Sequence, residues 1–400
     1  MSKTEKISQN KQGLKVLIAG AALLLFMGII YVWSVFVAPV SDFYGWETAD
    51  VKLTSSFMLC FFVIGILAGG KLQAKTGVKI NCLVGGLLVA AGMLVTSFIP
   101  AQTASVFMIY IFYGILGGFG VGVAYNAIIA AVQKWFVKNR GFATGVAVCA
   151  FGASTVIFAP LCETLIKNFS LNIVFMILAG AFAAATLILF NFIKTPEQVA
   201  GAAPPPLKGK QYTTLEMLKS PRYYLITFSL MVGTSVFFII NPDLKILAAN
   251  RGLESFATYL VMFTGIANAL GRLGAPLMSD KIGRESADIV ILAATSLGAF
   301  ALCFAQGVLL AAVIAVVAFC FGGYSGLYPV LTSENFGLKN IGSNYGTVMV
   351  GFMISALLFP ILINKIDDQI IRFTVLGVLA ALGVISIVIL KIMNKKREEI

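Results

Sequence analysis

The segment "GKLQAKTGVK" at residues 70–79 has a counterpart, "GAPLMSDKIGR", at residues 274–284. Both contain a glycine, a leucine and basic residues, and both end in a glycine-containing turn. Each follows an apolar stretch that is long enough to cross a membrane, and that stretch is the second one in its half of the chain. Two matching segments at corresponding places predict a chain that is built from an internal repeat.

A second pair of segments supports the repeat. The fourth apolar stretch ends in "YNAIIAAVQKWFVKNRG" at 125–141, and the tenth ends in "YSGLYPVLTSENFGLKN" at 324–340. Between the sixth and seventh stretches lies a Pro-, Gly- and Ala-rich basic segment that is too polar to cross a membrane. We therefore predict three parts: an N-terminal six-helix bundle at 1–193, a cytoplasmic linker at 194–222 and a C-terminal six-helix bundle at 223–400.

The composition predicts a membrane protein that crosses the bilayer many times. Hydrophobic residues make up 59% of the 400 residues, charged residues only 12%, and the mean hydropathy is +0.94. No alternation of the kind found in membrane barrels is visible, so the spans are expected to be helices. The fold class is therefore an all-α integral membrane protein with twelve transmembrane helices, at about 14–37, 53–70, 80–99, 104–132, 142–164, 171–193, 223–244, 255–278, 287–305, 308–332, 343–363 and 371–392.

The positions of the basic residues predict how the chain is oriented. Of the 29 Lys and Arg residues, 22 fall in the segments that are cytoplasmic if the N-terminus is inside, and six fall in the outer loops. This asymmetry places both termini in the cytoplasm of a cell whose membrane the chain crosses. It also explains the net charge of +12 without a nucleic-acid partner, so the expected surroundings are a lipid bilayer.

The N-terminal span and the cysteines exclude other classes. The first apolar run is about 24 residues long and no cleavage site follows it, so we expect a retained helix and not a signal peptide. The six cysteines are scattered without a CxxC pair, and the chain has no histidine. We therefore expect no metal site, no disulfide framework and no cofactor.

One basic residue, Arg272, remains after the loops have been counted. It lies eight residues before Asp280, about 12 Å along a helix, and its guanidinium keeps its charge at any depth. Snorkelling to the interface and pairing with an acid are the structural alternatives, but the acidic residues map to loops, tails and span ends, and the deepest candidates among them are Glu163, Asp243 and Asp288. A mobile partner is therefore favoured, and a carboxylate anion matches the guanidinium fork. Asn268, one turn earlier, can bind the substrate or the guanidinium, or it can simply join two helices.

These segments resemble the major facilitator superfamily over the whole chain. "GKLQAKTGVK" is similar to its loop motif after helix 2, "RGFATG" (140–145) to the start of its helix 5, and "SDKIGR" (279–284) to the copy after helix 8. Ala74 departs from the pattern at the position usually held by Asp, which puts the charge latch of the first half in doubt. Similarity to the oxalate/formate antiporter and monocarboxylate transporter branch is carried by "YVWSVFVAPV" (31–40), "NAIIAAVQKWFVKNRGFATG" (126–145), "YTTLEMLKSPRYYL" (212–225), "LMSDKIGR" (277–284) and "ENFGLKNIGSNYG" (334–346).

The resemblance implies roles for individual residues. In that branch an Arg at the position of Arg272 binds the substrate carboxylate, and Tyr31 and Tyr125 match positions that line the substrate cavity. Phe352 stands where oxalate carriers have a second basic residue, so a monocarboxylate is favoured over a dicarboxylate. The aromatic cage of the oxalate carriers is also changed, with Phe321 in place of Trp and Ser325 in place of Tyr.

Further candidates follow from polarity and depth. Asn126, Tyr324 and Tyr328 are cavity candidates, although for a tyrosine simple packing with a bonded hydroxyl is at least as common as substrate contact. In helix 7, Asn241 precedes Pro242 near the outer end, where either a gate or an ordinary kink is expected. The residues with expected roles in conformational change are Asp280, Arg284, Lys75, Arg140 and Asn241.

The sequence thus predicts a secondary transporter that works by alternating access and not an enzyme. The expected substrate is a small monocarboxylate such as lactate, pyruvate, formate or acetate, carried by a monomer with proton symport. Because Asn268 stands where proton-coupled relatives have Asp, and no deep carboxylate or histidine is expected to take up a proton, carboxylate exchange is the alternative. A carboxylate sensor and a lipophilic-drug exporter are further alternatives, whereas an enzyme would need clustered catalytic groups.

Overall fold

The computed structural model describes residues 3–100, 105–198, 209–363 and 365–398, and over these ranges the chain is helical without a single strand. Residues 199–208 of the predicted linker lie outside the described residues. The prediction of an all-α fold is therefore confirmed for the described part of the chain. Apolar composition explains it, because backbone groups within a bilayer must be bonded inside their own segment.

The helices are numbered along the chain. Those of the first half are α1 (Lys3–Met27), α2 (Trp33–Tyr44), α3 (Thr48–Thr96), α4 (Val106–Ile109), α5 (Gly118–Trp135), α6 (Arg140–Asn168) and α7 (Leu171–Leu189). Those of the second half are α8 (Thr214–Leu218), α9 (Pro221–Ile240), α10 (Leu244–Asn250), α11 (Ala257–Ile282), α12 (Arg284–Ala301), α13 (Gly307–Phe336), α14 (Ile341–Val348), α15 (Val350–Ile363) and α16 (Gln369–Glu398). A π-helical segment, Tyr110–Gly117, joins α4 to α5.

Ten helices in the described residues are long and apolar enough to cross a membrane. Two further predicted spans account for the difference from twelve. The 49-residue α3 covers the second and third predicted spans and breaks at Gly77, where φ is 80° and ψ is 169°. The ninth predicted span corresponds to α12, whose first turn is charged and which follows Gly283, with φ 88° and ψ 155°. The two repeat segments therefore end in the same left-handed glycine turn, which a residue with a Cβ adopts only with strain.

The described residues form two compact units. The first comprises the described residues of Met1–Lys138, Ala150–Lys208 and Asn340–Gly346, and the second those of Asn139–Cys149, Gly209–Lys339 and Thr347–Ile400. The domain boundaries predicted from the sequence remain a prediction.

Glycines allow close helix packing inside the second unit. A Cβ at Gly322 of α13 would overlap the backbone carbonyl of Asn268 on α11, and one at Gly326 would overlap that of Arg272. The backbones of α11 and α13 are therefore in direct contact at the level of Arg272, as small residues permit in membrane proteins.

The end of the predicted linker is fixed by a capping box at the start of α8. The Thr213 hydroxyl accepts the Glu216 backbone N–H, and the Glu216 carboxylate accepts the Thr213 backbone N–H at 2.8 Å. The Thr213 backbone N–H, with further hydrogen bonds from Lys210 and the Thr213 hydroxyl, lowers the pKa of Glu216 to about 2.

Candidate functional site

Arg272 is one of the largest buried side chains of the second unit and is only 2% exposed. Its Nε–H donates to Oδ1 of Asn268, one helical turn earlier, at 3.0 Å. The pair faces the same side of α11 because residues four apart lie above one another on a helix. Asn268 therefore contacts the guanidinium of Arg272 in the structure. This contact holds the guanidinium plane in a defined orientation.

Two other elements of the second unit approach Arg272. The backbone of α13 contacts its carbonyl at Gly326, and a Cβ at Gly145, near the start of α6, would lie 3.2 Å from the same carbonyl oxygen. The Cys149 thiol, one turn further along α6, interacts electrostatically with Arg272. The backbone at Arg272 is therefore packed between α6 and α13, and its buried guanidinium lies within electrostatic reach of α6, where low dielectric strengthens its interactions with any anion.

The structure brings Phe321 and Phe352 together. Their ring centroids are 6.0 Å apart, and both are nearly buried. Phe237 stacks on Phe321 at 4.2 Å, and Phe238 contacts both Phe321 and Phe352 edge-on at 5.2 and 5.1 Å. We call these four rings the phenylalanine cluster; no charged side chain belongs to it.

Two members of this cluster, Phe237 and Phe238, were not predicted from the sequence. Phe237 and Phe238 lie within "FFIINPDLK" (237–245), the helix 7 segment from which only Asn241 was selected. The pair of adjacent aromatic residues in the seventh predicted span was the sequence feature that could have indicated them. Ser325, one turn after Phe321 on α13, is partly exposed.

The candidates in the first unit form an aromatic cluster of their own. The ring centroids of Tyr31 and Tyr125 lie 5.3 and 5.1 Å from that of Phe151. The Tyr125 centroid also lies 5.4 Å from that of Phe62. Asn126 is buried and its amide donates to two backbone carbonyls, those of Ile66 at 2.6 Å and Gly342 at 2.8 Å. Its two donor hydrogens therefore serve the packing of the first unit.

Tyr324 and Tyr328 are fully buried and hold their hydroxyls against neighbouring helices. The Tyr324 hydroxyl lies 2.7 Å from that of Thr295, and the Tyr328 hydroxyl lies 2.8 Å from Ser229 Oγ and 3.0 Å from Asp288 Oδ2. The structure thus places both tyrosines in the polar packing of α13 against α9 and α12.

Asp288 corrects one expectation. The sequence indicated that no deep carboxylate is available to take up a proton, yet Asp288 is 0% exposed. It stands at the beginning of a predicted span and therefore counted as a span end. A sequence pattern does not show that α9 and α13 surround this turn of α12 and remove it from solvent.

The conformational candidates are organised differently in the two repeat segments. The Asp280 carboxylate accepts the backbone N–H groups of Gly141 and Phe142, at 3.2 and 2.8 Å, and pairs with Arg284 at 2.6 Å. Arg284 also pairs with Glu334 at 2.9 Å. This arrangement sets a carboxylate on the N-terminus of α6, where the helix dipole favours it.

Of the remaining three candidates, Arg140 is partly buried and interacts electrostatically with Glu334, whereas Lys75 and Asn241 are exposed. Arg140 donates to Ser333 Oγ at 3.5 Å, at the limit of a hydrogen bond. In the first repeat segment, Lys75 is exposed next to Ala74. Asn241 is exposed and follows the last residue of α9, so that Pro242 stands after the helix and does not kink it. Within the residues that the structure describes, no three His, Cys, Asp or Glu side chains gather as metal ligands would.

A family model described as "Major Facilitator Superfamily" matches residues 18–360. The chain is 28% identical to the uncharacterized MFS-type transporter YhjX of Escherichia coli over 341 residues, 83% of this chain and 82% of that one. It is 28% identical to the oxalate:formate antiporter of Oxalobacter formigenes, over 82% of this chain and 78% of that one. It is 22% identical to monocarboxylate transporter 12 of Xenopus laevis, over 90% and 85%.

Solved structures agree on the fold. The proton:xylose symporter XylE of E. coli, bound to 6-bromo-6-deoxy-D-glucose, superimposes with a TM-score of 0.70 at 15% identity, over 94% of this chain and 95% of that one. At this identity the similarity concerns the arrangement of helices alone.

Proposed function

Because this chain belongs to the Major Facilitator Superfamily, whose members are multi-pass membrane transporters and not enzymes, we propose that it carries a small monocarboxylate. The expected substrates are of the size of lactate, pyruvate, formate and acetate. Transport occurs by alternating access, and the monomer is the functional unit. The chain lies in the cell membrane with both termini in the cytoplasm, as the distribution of its Lys and Arg residues favours.

One observation carries the substrate class: a guanidinium that is 2% exposed and oriented by Asn268. A permanent charge inside the membrane costs several kcal/mol, so an intramembrane Arg is a candidate for a functional role. A carboxylate is the anion whose two oxygens match the donors of the guanidinium. The relatives agree with this class, since they include an oxalate:formate antiporter and a monocarboxylate transporter.

The phenylalanine cluster supports a monocarboxylate over a dicarboxylate. Phe352 lies among Phe237, Phe238 and Phe321, so its position offers apolar surface to a short carbon skeleton. The second carboxylate of a dicarboxylate would have to enter without a cation at this position. Burying such a charge costs several kcal/mol.

Proton symport is the proposed coupling, and exchange of one carboxylate for another is the alternative. Exchange is favoured by a single observation: Nε of Arg272 donates to the neutral amide of Asn268, at a position where proton-coupled relatives have Asp. A carrier whose cationic site must bind an anion before it reorients would work as an exchanger.

Uptake into proteoliposomes tests the proposal. Purified protein is reconstituted and supplied with labelled lactate, pyruvate, formate, acetate or oxalate, with and without a proton gradient and with and without preloaded anion. We expect uptake of at least one monocarboxylate and weaker uptake of oxalate. Preference for oxalate would contradict the reading of Phe352, and lack of uptake of all five, together with efflux of a lipophilic dye, would replace the proposal by a drug exporter.

A further inference from the structure

Asp288 is an ionisable group that carboxylate binding at Arg272 does not require. It lies one turn into α12 with 0% exposure. Its Oδ2 is 3.0 Å from the Tyr328 hydroxyl, and its Oδ1 has no hydrogen-bond partner among the described residues. An ionised carboxylate in this environment would be expensive, because a buried charge needs a partner and hydrogen bonds at both oxygens.

The hydrogen bonds around Tyr328 indicate which form of Asp288 is present. The Ser229 hydroxyl uses its hydrogen on the Ile226 carbonyl at 2.9 Å, so at its 2.8 Å contact with Tyr328 it is the acceptor. Tyr328 has a single hydrogen, which that contact consumes. The remaining contact, between Tyr328 and Asp288 Oδ2, then needs a hydrogen from Asp288. With the Ser229 hydroxyl donating to the Ile226 carbonyl, the chain of bonds is complete when Asp288 is a neutral acid that donates to Tyr328.

Among the groups that the structure places around Asp288, the Tyr328 hydroxyl is the one that can donate to its charged form, and no cation pairs with it in the described residues. Those that interact with it electrostatically are Tyr328 and Tyr324 of α13 and Glu285 of its own helix. From α16, Lys391 binds the Ser286 hydroxyl at 2.9 Å, and at the start of α12 Arg284 pairs with Asp280 and Glu334. From α9 it is the uncharged Ser229 that reaches this group, through Tyr328. Within the described residues, no Lys or Arg forms an ion pair with Asp288. Burial without such a partner favours the protonated carboxyl.

Helix α13 connects Asp288 to Arg272. Gly322 and Gly326 face the backbone of α11 at Asn268 and Arg272, whereas Tyr328 bonds Asp288 on α12. Residues two apart on a helix point in nearly opposite directions, so one short part of α13 contacts both sites. A displacement of α13 on anion binding would therefore change the Tyr328–Asp288 contact, which is the physical element that coupling needs.

We propose that Asp288 is the proton-binding residue that couples transport to the proton gradient, an inference that rests on the proposed carboxylate transport. In the loaded state the Asp288 O–H bond is intact, and Asp288 donates to Tyr328 while Tyr328 donates to Ser229. On release the Asp288 O–H bond breaks and the proton passes to water. Tyr328 then turns its hydrogen from Ser229 Oγ to the carboxylate, and one proton has been moved for each anion.

Asp288→Asn tests the proposal, since an amide has the shape of the neutral acid but binds no proton. In an electroneutral symporter an inward gradient of one pH unit supports about tenfold accumulation of a monocarboxylate. We expect wild-type protein and Asp367→Asn, a change at an exposed outer-loop acid, to accumulate the anion to this extent. Asp288→Asn should not accumulate it, while still exchanging preloaded for external anion. Tenfold accumulation by Asp288→Asn would overturn the proposal.

Infrared difference spectroscopy of the purified protein tests the protonation of Asp288 without any substrate. We expect a C=O stretching band of a protonated carboxyl at neutral pH that disappears at alkaline pH. The band should shift in Tyr328→Phe, where Asp288 loses its acceptor, and this variant serves if Asp288→Asn does not fold. A wild-type spectrum without the band, or a band that Tyr328→Phe leaves unchanged, would contradict the inference. A band with no carboxylate transport would instead remove the proposed function alone.

Discussion

Arg272 and Asp288 are both buried ionisable residues of the second unit, and they are held in opposite ways. Arg272 cannot lose its charge, and its Nε is tied to the side chain of Asn268. Asp288 can lose its charge, and its contacts are hydroxyls that can reverse their direction of donation. The comparison suggests a division of labour, in which a fixed cation selects the anion and a neutral acid carries the proton.

The largest effect should come from removing the fixed cation. Arg272→Gln should lower carboxylate uptake by about 30- to 150-fold, because charged hydrogen bonds worth about 2–3 kcal/mol are lost. Arg272→Lys should also be impaired, since an ammonium lacks the planar fork. Initial rates in proteoliposomes measure the effect. The matched control is Arg372→Gln, which removes a guanidinium that bonds the Ile366 carbonyl; equal losses in both variants would show a general effect of charge.

A second prediction tests the fixed cation by placing an acid next to it. Asn268→Asp should place a carboxylate on the guanidinium and lower the apparent affinity for monocarboxylates by about tenfold near pH 7. The loss should diminish as the pH falls, because protonation removes the competing charge. The KM for uptake between pH 5 and 8 measures this, with Asn268→Ala as the control that loses the contact without adding charge. A pH-independent KM in Asn268→Asp would argue against competition at Arg272.

A third prediction adds a second cation at the phenylalanine cluster. Phe352→Arg should raise the preference for oxalate over formate by about tenfold, because the second carboxylate of oxalate then has a partner. Phe352→Leu, which keeps the site apolar, should leave the preference as it is. Competition of unlabelled oxalate against labelled formate gives the ratio. If both variants give the wild-type ratio, Phe352 does not face the transported anion.

The smallest effect should come from changing a charge away from both Arg272 and Asp288. Asp280→Asn weakens the pairing with Arg284 and the anchoring of the α6 N-terminus, at a cost of about 0.5–2 kcal/mol. We expect a Tm lower by a few degrees and a change in uptake smaller than that of Asn268→Asp. Ala74→Asp, in the repeat segment that has no acid, is the matched variant and should not lower the Tm. A larger loss of uptake in Asp280→Asn than in Arg272→Gln would reverse the ranking.

The helical spans were predictable because the length of an apolar stretch and the repeat segments can be recognised from residues that are close together in the sequence. The Asn268–Arg272 contact follows from their spacing of four on one helix. The family resemblance indicated Phe321 and Phe352 as separate cavity positions, and the structure brings their rings together. The break of α3 at Gly77 lies between the spans predicted at 53–70 and 80–99, in the glycine-containing turn that the repeat segments indicated.

The acid of the second site could not be found in the same way. Asp288 is buried, and the hydroxyls that its carboxyl reaches, Tyr328 directly and Ser229 through Tyr328, lie 40 and 59 positions away in the chain. Neither local composition nor hydropathy carries such long-range information. The sequence instead indicated Tyr328 as a possible substrate contact, and the structure gives its hydroxyl to Ser229 and Asp288.

Equilibrium binding of a labelled monocarboxylate to purified protein tests the central claim, that Arg272 binds the anion. The measurement compares wild type, Asp288→Asn and Arg272→Gln in detergent at neutral pH, without a gradient. We predict saturable binding by wild type and by Asp288→Asn, and a Kd that is about 30- to 150-fold higher for Arg272→Gln. Equal affinity in wild type and a folded Arg272→Gln would contradict the claim.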